Sequence, residues 1–542
     1  MSFVSNPKIR FTGFYLFLII FACLPIWTVE RYFNQDGSPH LYNAFLMLEL
    51  FKGNPAFTEF YALNPAPLPN LSGHYLLALL LLLFSPTVVT KLMVSMLFAA
   101  FVAAVGWLRR QVAGAEDFHI SLLVGAALAF NWMWFLGFYN FIIGVIGFTF
   151  TLGLYFRWRE NLDFLRSLVL SVLVIVVFFS HLISFGMLVG SLLLFCLFVP
   201  PPQLKRALIW TFAALVPVTP LIIQYKFFSA QEGGELAPVW RSLANPLSPF
   251  SWFAQLQAAD PFQLLSRKAI PFYAETSNSY ALFSPFLWIS AALVCLAGAT
   301  LFASRNRDCL SRRTFPFLLI AFGSIAVWTF APDDFGKVHG GFLRERVLFC
   351  GLICFVPLFQ TGKSRFLKRA ATGCLIFVIC FQTLVLWNYA ADAGQMGAEF
   401  LSGQSLIKDD DSFGSIVLTD TGCRYKANPL PSLGVLYGLN KNTRIWDNYE
   451  TGIYIFPTIL KNASERQFVN EFREAGNFDL CDPNENISEK FAKLRSILDL
   501  NNDKIKTLLI WGDDERIAPI ISRWYEPQPF FRNGRVRLFR HL

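Results

Sequence analysis

The sequence predicts a polytopic α-helical membrane protein, with about eleven transmembrane helices, that ends in a soluble α/β domain. Of its 542 residues, 54% are hydrophobic and only 15% are charged, and the apolar residues form long blocks instead of alternating with polar ones. The net charge of +9 comes mainly from short basic loops between these blocks, which is typical of cytoplasmic loops in membrane proteins. This charge therefore needs no nucleic-acid partner. We expect a membrane domain over residues 1–389 and an extracytoplasmic soluble domain over residues 390–542.

Twelve apolar blocks are the candidate membrane spans. They cover residues 11–29, 73–84, 87–108, 118–136, 138–156, 164–180, 182–199, 206–224, 281–303, 314–331, 346–361 and 368–388. The block 73–84 would be about 18 Å long as a helix, against a hydrocarbon core of roughly 30 Å. If this block only dips into the membrane, every basic loop lies in the cytoplasm, as the positive-inside rule requires. We therefore expect eleven crossings, a cytoplasmic N-terminus and an outer C-terminus.

This topology places most of the unexplained polar residues on the outer face. The predicted outer segments are the loops 30–86, 225–280 and 332–345 and the soluble domain. The loop 225–280 is expected to form two short amphipathic helices on the outer surface, broken at Asp260–Pro261.

The soluble domain has local patterns of both strands and helices. IVLTD and TLLIWGD resemble strands, whereas SERQFVNEFREAG and SEKFAKLRSILDL resemble helices with serine N-caps. Cys423 and Cys481 lie in this domain and could pair if it faces an oxidising compartment.

The first outer loop carries an acid, Asp36, at the predicted start of a helix, in the stretch RYFNQDGSPHLYNAF. Ser38 is a good N-cap, Pro39 suits the first helical position, and Gly37 permits a sharp turn. The helix would then lie along the bilayer through Leu41, Phe45, Leu48 and Phe51. A helix N-terminus favours an ionised carboxylate, so Asp36 could act as a general base. The alternative is a solvated acid that only caps the helix.

His40 falls in the first turn of that helix and could approach Asp36. The two side chains could position an acceptor hydroxyl, or they could share a divalent cation, Mg or Mn, with other acids. Two possible ligands are a weak indication of a metal site.

Two further polar residues lie between predicted spans. Asn140 belongs to the turn FLGFYNF and could bind a sugar hydroxyl, although such turns often carry Gly and Asn for structural reasons. His181 lies between two apolar blocks, where an ionisable residue is costly unless it has a partner or a function. A packing role is the alternative for His181.

The stretch APDDFGKVHGGFLRER combines glycines with two arginines, Arg344 and Arg346, before a span. Backbone amides and planar guanidinium groups suit an anionic phosphate. Asp333, Asp334 and His339 in the same stretch are further candidates for substrate binding. The alternative is that the arginines anchor lipid headgroups.

Other motifs narrow the field. The stretch IWDNYETGIYIFP could stack on a sugar, although its aromatic residues more simply form the core of a small domain. The sequence has no Walker A motif, no Rossmann glycine motif, no GxSxG and no HExxH. Nucleotide-driven transport and serine or zinc hydrolysis therefore have no support.

The layout resembles the GT-C glycosyltransferases, which are polytopic enzymes that take sugar from a polyprenyl-phosphate carrier on the outer face. QDGSPHLYNAF looks like the acidic motif of their first loop, and Asp36 matches the residue that this family uses as catalytic base. The block 73–84 is similar to the second juxtamembrane helix of that loop. DFGKVHGGFLRER looks like the later outer loop whose arginine meets the carrier phosphate. The chain lacks the paired Asp-Glu of many members, which leaves metal dependence open.

The resemblance implies an inverting glycosyltransferase of the bacterial inner membrane. Its donor would be a polyprenyl-phosphate sugar, and its acceptor a glycan, a lipid or a protein. Asp36 would deprotonate the acceptor hydroxyl, and Arg344 or Arg346 would stabilise the departing lipid phosphate. The alternatives are a multi-pass transporter, a polymerase or ligase of lipid-linked saccharides, and a receptor or scaffold that works through its C-terminal domain.

Overall fold

A computed structural model gives the fold of most of the chain. It describes residues 7–114, 118–231, 311–331, 341–358, 364–409, 411–419, 425, 427–480 and 485–542. Several predicted features lie outside these described residues, namely the two helices of loop 225–280, the block 281–303, Asp333, Asp334, His339, Cys423 and Cys481.

The described part of the first four hundred residues is mostly helical. The described helices are α1 (Pro7–Thr28), α2 (Gly37–Phe51), α3 (Pro55–Thr58), α4 (Ser72–Leu81), α5 (Pro86–Ala113), α6 (Phe118–Ala129), α7 (Trp132–Leu136), α8 (Tyr139–Trp158), α9 (Phe164–Ser180), α10 (Leu182–Leu197), α11 (Pro201–Leu215), α12 (Thr219–Gln231), α13 (Phe315–Phe330), α14 (Leu343–Phe355) and α15 (Arg365–Phe400). All of the described apolar blocks are helical, because a helix satisfies the backbone hydrogen bonds of a long apolar run internally.

Several helices are suited to a membrane. Four helical runs within the described residues are long and apolar enough to cross one, namely Pro86–Ala113, Tyr139–Asn161, Pro201–Phe228 and Arg365–Leu406. Six more described helices are apolar but shorter. The helix α4 has ten residues, or about 15 Å, which is half of the hydrocarbon core. The expectation of a helical chain with membrane-type helices is confirmed, and the count of eleven crossings stays a prediction.

Two of the apolar blocks are broken by local chemistry. The block 118–136 divides at Asn131, whose side chain accepts a hydrogen bond of 3.0 Å from the Met133 amide and so caps α7. Gly137 ends α7 in the left-handed region at φ +79°, where glycine has no steric cost. The block 206–224 divides at a short 3-10 turn, Val216–Val218, which contains Pro217.

The C-terminal region, residues 401–542, is built on a mixed sheet. The strands of the chain are β1 (Tyr61–Leu63), β2 (Ser412–Thr419), β3 (Arg444–Ile445), β4 (Thr458–Leu460), β5 (Asn477–Asp479), β6 (Thr507–Trp511), β7 (Phe531–Asn533) and β8 (Val536–Arg540). The order in the main sheet is β3-β2-β6-β8-β7, and β5 also pairs with β2. The strand β2 runs parallel to β3, β5 and β6 and is buried along its whole length. Both predicted strands are therefore confirmed, as β2 and β6.

Four short or medium helices complete this region. They are α16 (Tyr449–Gly452), α17 (Ala463–Gly476), α18 (Ile487–Asn501) and α19 (Ala518–Ile521). The two helices predicted from sequence are confirmed as α17 and α18, but the predicted serine N-caps are wrong. Asn462 and Asn486 cap these helices instead, because their side chains accept hydrogen bonds from the first-turn amides.

The C-terminal region packs against the loop 30–86. The strand β1 of that loop pairs antiparallel with β4, in the register Tyr61↔Leu460 and Leu63↔Thr458. The helix α15 continues through residues 389 and 390, where the domain boundary was predicted. The two parts of the chain are therefore joined by a continuous helix and a shared two-stranded sheet.

This packing changes the surroundings of α2. Leu41 and Phe45 are only 2% and 9% exposed, so the prediction that they lie along the bilayer is wrong. The Tyr42 hydroxyl on the same helix lies 3.3 Å from the Thr443 carbonyl of the C-terminal region. The first eleven residues of α2, from Gly37 to Met47, are all buried, because α4 and the C-terminal region both pack against this helix.

Candidate active site

The candidate site begins at the start of α2. The helix starts at Gly37, and Asp36 takes the N-cap position without a side-chain capping bond. The prediction that Ser38 caps the helix and Pro39 is its first residue is therefore wrong by two positions. The Asp36 carbonyl accepts the first bond of the helix from the His40 amide, at 3.2 Å. The carboxylate of Asp36 is thus left for contacts outside its own helix.

The backbone before α2 is bonded to the turn between α7 and α8. The amides of Gln35 and Asp36 donate to the carbonyls of Phe135 and Leu136, at 3.0 and 2.9 Å. A Cβ added at Gly137 would lie 2.8 Å from the Gly37 amide nitrogen, closer than side-chain carbons approach. The turn FLGFYNF therefore lies directly beside Asp36, as its predicted outer position required.

Three charged or polar groups surround the Asp36 carboxylate. The Tyr449 hydroxyl hydrogen-bonds to it, and the Arg473 guanidinium lies 3.7 Å from the Tyr449 ring centre. Burial raises the pKa of Asp36 above its ordinary value, although the positive charges of His40 and Arg473 partly offset this effect. Burial is therefore the largest influence on the pKa of Asp36, and it acts against the ionised form that a helix N-terminus favours.

Arg346, one of the two predicted arginines, interacts with Asp36. Its guanidinium lies 4.4 Å from the ring centre of Phe138 and 5.4 Å from that of Phe141. The charge of Glu345 and, to a smaller extent, that of Asp36 attract this guanidinium. Among the described residues, the buried Nε of Arg346 has no hydrogen-bond partner. This Nε is therefore a donor that a bound anion could use.

Arg344 has a different environment from Arg346. It is 1% exposed, and its Nε donates to the carbonyl of Trp328 on the preceding helix. That bond packs α14 against α13. Of these two arginines, the structure shows an interaction with Asp36 for Arg346.

Asn140 and His181 both lie in the same neighbourhood and use their side chains for structure. The Asn140 amide oxygen accepts from the Gly73 amide at 2.6 Å, which fixes the start of α4 against α8. His181 caps α10, because its Nδ1 accepts from the Ile183 amide at 3.2 Å. The charge of Arg346 also acts on His181. A substrate-binding role for Asn140 and His181 stays a prediction.

His40 meets His74, which the sequence did not single out, and Glu450, which belongs to the stretch IWDNYETGIYIFP that the sequence offered as a possible sugar contact. The three form the His–His–Glu cluster, in which His40 comes from α2, His74 from α4 and Glu450 from α16. His40 Nδ1 contacts one carboxylate oxygen of Glu450, and His74 Nε2 lies 3.1 Å from the other. Glu450 and His74 are fully buried, and His40 is 6% exposed.

The charges in the His–His–Glu cluster are strongly coupled. Burial alone would raise the pKa of Glu450, but the two histidines lower it to about 2. Burial would likewise lower the pKa of His40, but the carboxylates of Glu450 and Asp36 raise it above its ordinary value. The cluster therefore holds Glu450 ionised inside the protein.

Two residues of the site, His74 and Arg473, were missed from sequence, and two more, Tyr449 and Glu450, were considered as sugar contacts but assigned to the core of the domain. His74 opens a short apolar helix and is one of only six histidines in the chain, which was a usable signal. Tyr449 and Glu450 lie in the stretch IWDNYETG, which the sequence favours as domain core, and Trp446 is indeed buried there. The link between that stretch and His40 depends on packing between distant segments.

The arrangement combines a buried carboxylate that can accept a proton, a guanidinium that can bind an anion, and a cluster with metal-ligating side chains. These groups converge from loop 30–86, the turn 135–141, α14 and the C-terminal region. No protein-family profile matches the chain, and no curated protein is significantly similar to it. The function must therefore be argued from the geometry of the site.

Proposed function

We propose that this protein is a membrane glycosyltransferase that moves a sugar from a polyprenyl-phosphate donor to a glycan, lipid or protein acceptor. The observation that carries the proposal is the convergence of Asp36 and Arg346. A base for the acceptor hydroxyl and a cation for the leaving phosphate are the two groups that such a displacement needs. They come from segments far apart in sequence and interact electrostatically in the folded chain.

In the proposed reaction, Asp36 removes the proton of the acceptor hydroxyl as its oxygen attacks the anomeric carbon. The bond between that carbon and the lipid phosphate breaks, and the phosphate leaves with the bonding electron pair. A single displacement inverts the anomeric configuration. The pKa of Asp36 is raised by burial, which makes it a stronger base than an exposed aspartate.

The acceptor hydroxyl would take the place of the Tyr449 hydroxyl at the Asp36 carboxylate. The Tyr449 hydroxyl now donates to this carboxylate, in the manner expected of an acceptor hydroxyl before it loses its proton. The Arg473 guanidinium lies over the Tyr449 ring, 3.7 Å from its centre. Tyr449 would therefore move aside when the acceptor binds, and it would cover the base when no acceptor is present.

Arg346 would bind the leaving phosphate. Its guanidinium lies over the rings of Phe138 and Phe141, which restrict its orientation. Because a guanidinium is planar, it can make two parallel hydrogen bonds to a phosphate. The donor's prenyl chain would lie among the apolar helices. The eleven crossings and an outer, extracytoplasmic site in a bacterial inner membrane are part of this proposal.

The experiment is a transfer assay in membranes that contain the wild-type protein or one of three variants, Asp36→Asn, Arg346→Lys and Asp447→Asn. Radiolabelled polyprenyl-phosphate sugars are supplied, and label is followed into extractable glycan, glycolipid or protein. We expect Asp36→Asn to lower transfer by about 10²–10⁴-fold, the usual contribution of a general base. Arg346→Lys keeps the charge but loses paired hydrogen bonds, and we expect a loss of about 10-fold or more.

Asp447→Asn is the matched control, because Asp447 is also a buried aspartate, 3% exposed, but its carboxylate accepts from Ser415 and, among the described residues of the site, interacts through the charge of Arg473 alone. It should transfer at the wild-type rate. Undiminished transfer by Asp36→Asn at equal expression would remove Asp36 as the base. A wild type that transfers no label from any polyprenyl-phosphate sugar would overturn the proposal and favour a transporter or a scaffold. Joining of preassembled lipid-linked saccharides would instead indicate a polymerase or ligase.

A further inference from the structure

The His–His–Glu cluster has the composition of a metal site. One ligand atom from each of His40, His74 and Glu450 can be chosen so that all three lie within 4.8 Å of one another. Tetrahedral ligands of zinc, with bonds of 2.0–2.2 Å, are about 3.4 Å apart. The 3.1 Å between His74 Nε2 and the nearer Glu450 oxygen already approaches that spacing. Small side-chain rotations would therefore place the three around a single ion.

The tautomer of His74 is set by its other ring nitrogen. His74 Nδ1 lies 3.0 Å from the carbonyl oxygen of Asn70. A carbonyl oxygen can only accept, so Nδ1 carries the hydrogen. A neutral His74 therefore directs the lone pair of Nε2 at the carboxylate of Glu450. This is the arrangement of metal-ligating histidines, whose second nitrogen commonly donates to a backbone carbonyl.

Hydrogen bonds explain the contacts around Glu450 less well than a cation does. His40 Nδ1 contacts a Glu450 oxygen without the alignment of a hydrogen bond. A proton between His74 Nε2 and Glu450 would give His74 a hydrogen on both ring nitrogens, because Nδ1 already donates to Asn70, and would place an imidazolium in a buried site. One divalent cation satisfies both histidines and the carboxylate while both rings stay neutral.

A second layer of side chains orients the carboxylate. Asn43 donates to the Glu450 oxygen that faces His74, and its own amide oxygen accepts from Thr458 and from Asn448, the latter at 3.3 Å. Such outer hydrogen bonds are a regular feature of metal sites. All of these groups are buried, so the carboxylate is held in one orientation.

The donor set selects the type of metal. Two imidazole nitrogens and one carboxylate suit zinc and similar transition metals. Magnesium and calcium prefer oxygen ligands, so the earlier expectation of Mg or Mn at Asp36 and His40 fits this cluster less well.

We infer that His40, His74 and Glu450 bind one zinc ion. Two ligands come from loop 30–86 and one from the C-terminal region, so the ion would fasten these two parts of the chain together. Three protein ligands leave a further position for water or for an oxygen of a bound molecule. The inference does not depend on glycosyl transfer, because a zinc site here would exist whatever reaction the protein performs.

The test measures the metal content of the full-length protein, purified in detergent through a tag that contains no histidine. We expect about one zinc per wild-type chain by elemental mass spectrometry, and X-ray absorption with two imidazole nitrogens at about 2.0–2.1 Å from the zinc. After chelation, added Zn²⁺ should restore both the metal content and the melting temperature. His74→Gln should lose the zinc, and Asn43→Ala should weaken its affinity about 10–100-fold.

Asp447→Asn is the control, since it changes a buried acid of the same segment without touching a ligand, and it should keep its zinc. The absorption spectrum of the wild type tests the ligands even if His74→Gln does not fold. Wild-type protein that holds no zinc and takes up none from micromolar Zn²⁺ would overturn the inference. So would zinc that persists in a folded His74→Gln variant, because it would then be bound elsewhere.

Discussion

Asp447 and Glu450 are two buried acids on one segment, and their surroundings shift their pKa values in opposite directions. Glu450 faces loop 30–86, where His40 and His74 lower its pKa to about 2. Asp447 faces the interior of the C-terminal region, where its main side-chain partner is the Ser415 hydroxyl. Burial raises the pKa of Asp447 to about 6, and its hydrogen bonds offset only part of that effect. Nearby positive charge, and not the depth of burial, therefore separates the two acids.

The comparison also separates an interface from an ordinary core. The Glu450 region joins three segments through charged and polar contacts. The Asp447 region is the packed edge of a sheet, where burial of one carboxylate costs stability. A buried charge without a partner destabilises the fold, and a buried charge with partners fixes which segments meet. We expect the two regions to respond differently to mutation, in the following order.

The largest effect is expected from Glu450→Ala, which leaves two buried histidines without their carboxylate. Loss of one member of a buried charged group costs about 3–5 kcal/mol, so the melting temperature in detergent should fall sharply. Faster tryptic cleavage between the helical part and the C-terminal region should accompany this fall. Glu474→Ala is the control, because Glu474 is 70% exposed in its pair with Lys493 and should change little. Equal melting of the two variants would contradict a coupled interface.

The next effect is expected from Asp447→Asn, and its sign is opposite. The folded pKa of about 6 lies above the ordinary value of 3.8, so this acid's contribution to stability is lost as the pH rises between those values. Above pH 6 the ionised form costs up to about 3 kcal/mol, at 1.36 kcal/mol per pKa unit. The variant should therefore melt higher than wild type at pH 7.5, and the gap should close toward pH 4. A gap independent of pH would show that the charge of Asp447 is not the cause.

A smaller loss is expected from Asn43→Ala, which removes the amide that orients Glu450. Thr458 and Asn448 also lose their shared acceptor, and buried groups left unsatisfied cost about 1–2 kcal/mol. Melting measurements should place this variant between wild type and Glu450→Ala. Asn442→Ala provides the control, since its contact with Asn54 is exposed. Similar losses in both variants would mean that the Asn43 network adds nothing to the interface.

The smallest loss of stability is expected from Asn462→Ala. Asn462 lies away from both acids, so this variant shows how much a single ordinary hydrogen bond contributes. Asn462 caps α17 by accepting from the Ser464 amide at 2.9 Å, and loss of such a cap costs about 1 kcal/mol. Ser464→Ala should cost less, because the Ser464 hydroxyl is not the capping group. If Ser464→Ala proved the more damaging, the serine cap predicted from sequence would be correct after all.

Part of the site could be predicted from the sequence. Asp36, His40, the turn 135–141 and Arg346 were all chosen from local patterns, and the fold brings them close together. The start of α2 was predicted two residues late, because the turn signals of Ser38 and Pro39 are local, whereas the backbone of Asp36 is fixed by bonds to the distant turn. The helix dipole was expected to favour the ionised form of Asp36, but burial has the larger influence and raises its pKa.

By itself, the sequence determined the described apolar helices, the turn at Gly137, and the strands β2 and β6 and the helices α17 and α18 of the C-terminal region. These features depend on hydrophobic periodicity and on the conformational preferences of single residues, which are properties of short stretches. Only the tertiary structure decided that Glu450 meets His40 and His74. That contact joins residues about four hundred positions apart, and it depends on the pairing of β1 with β4 and on the docking of a whole region, which no local pattern encodes.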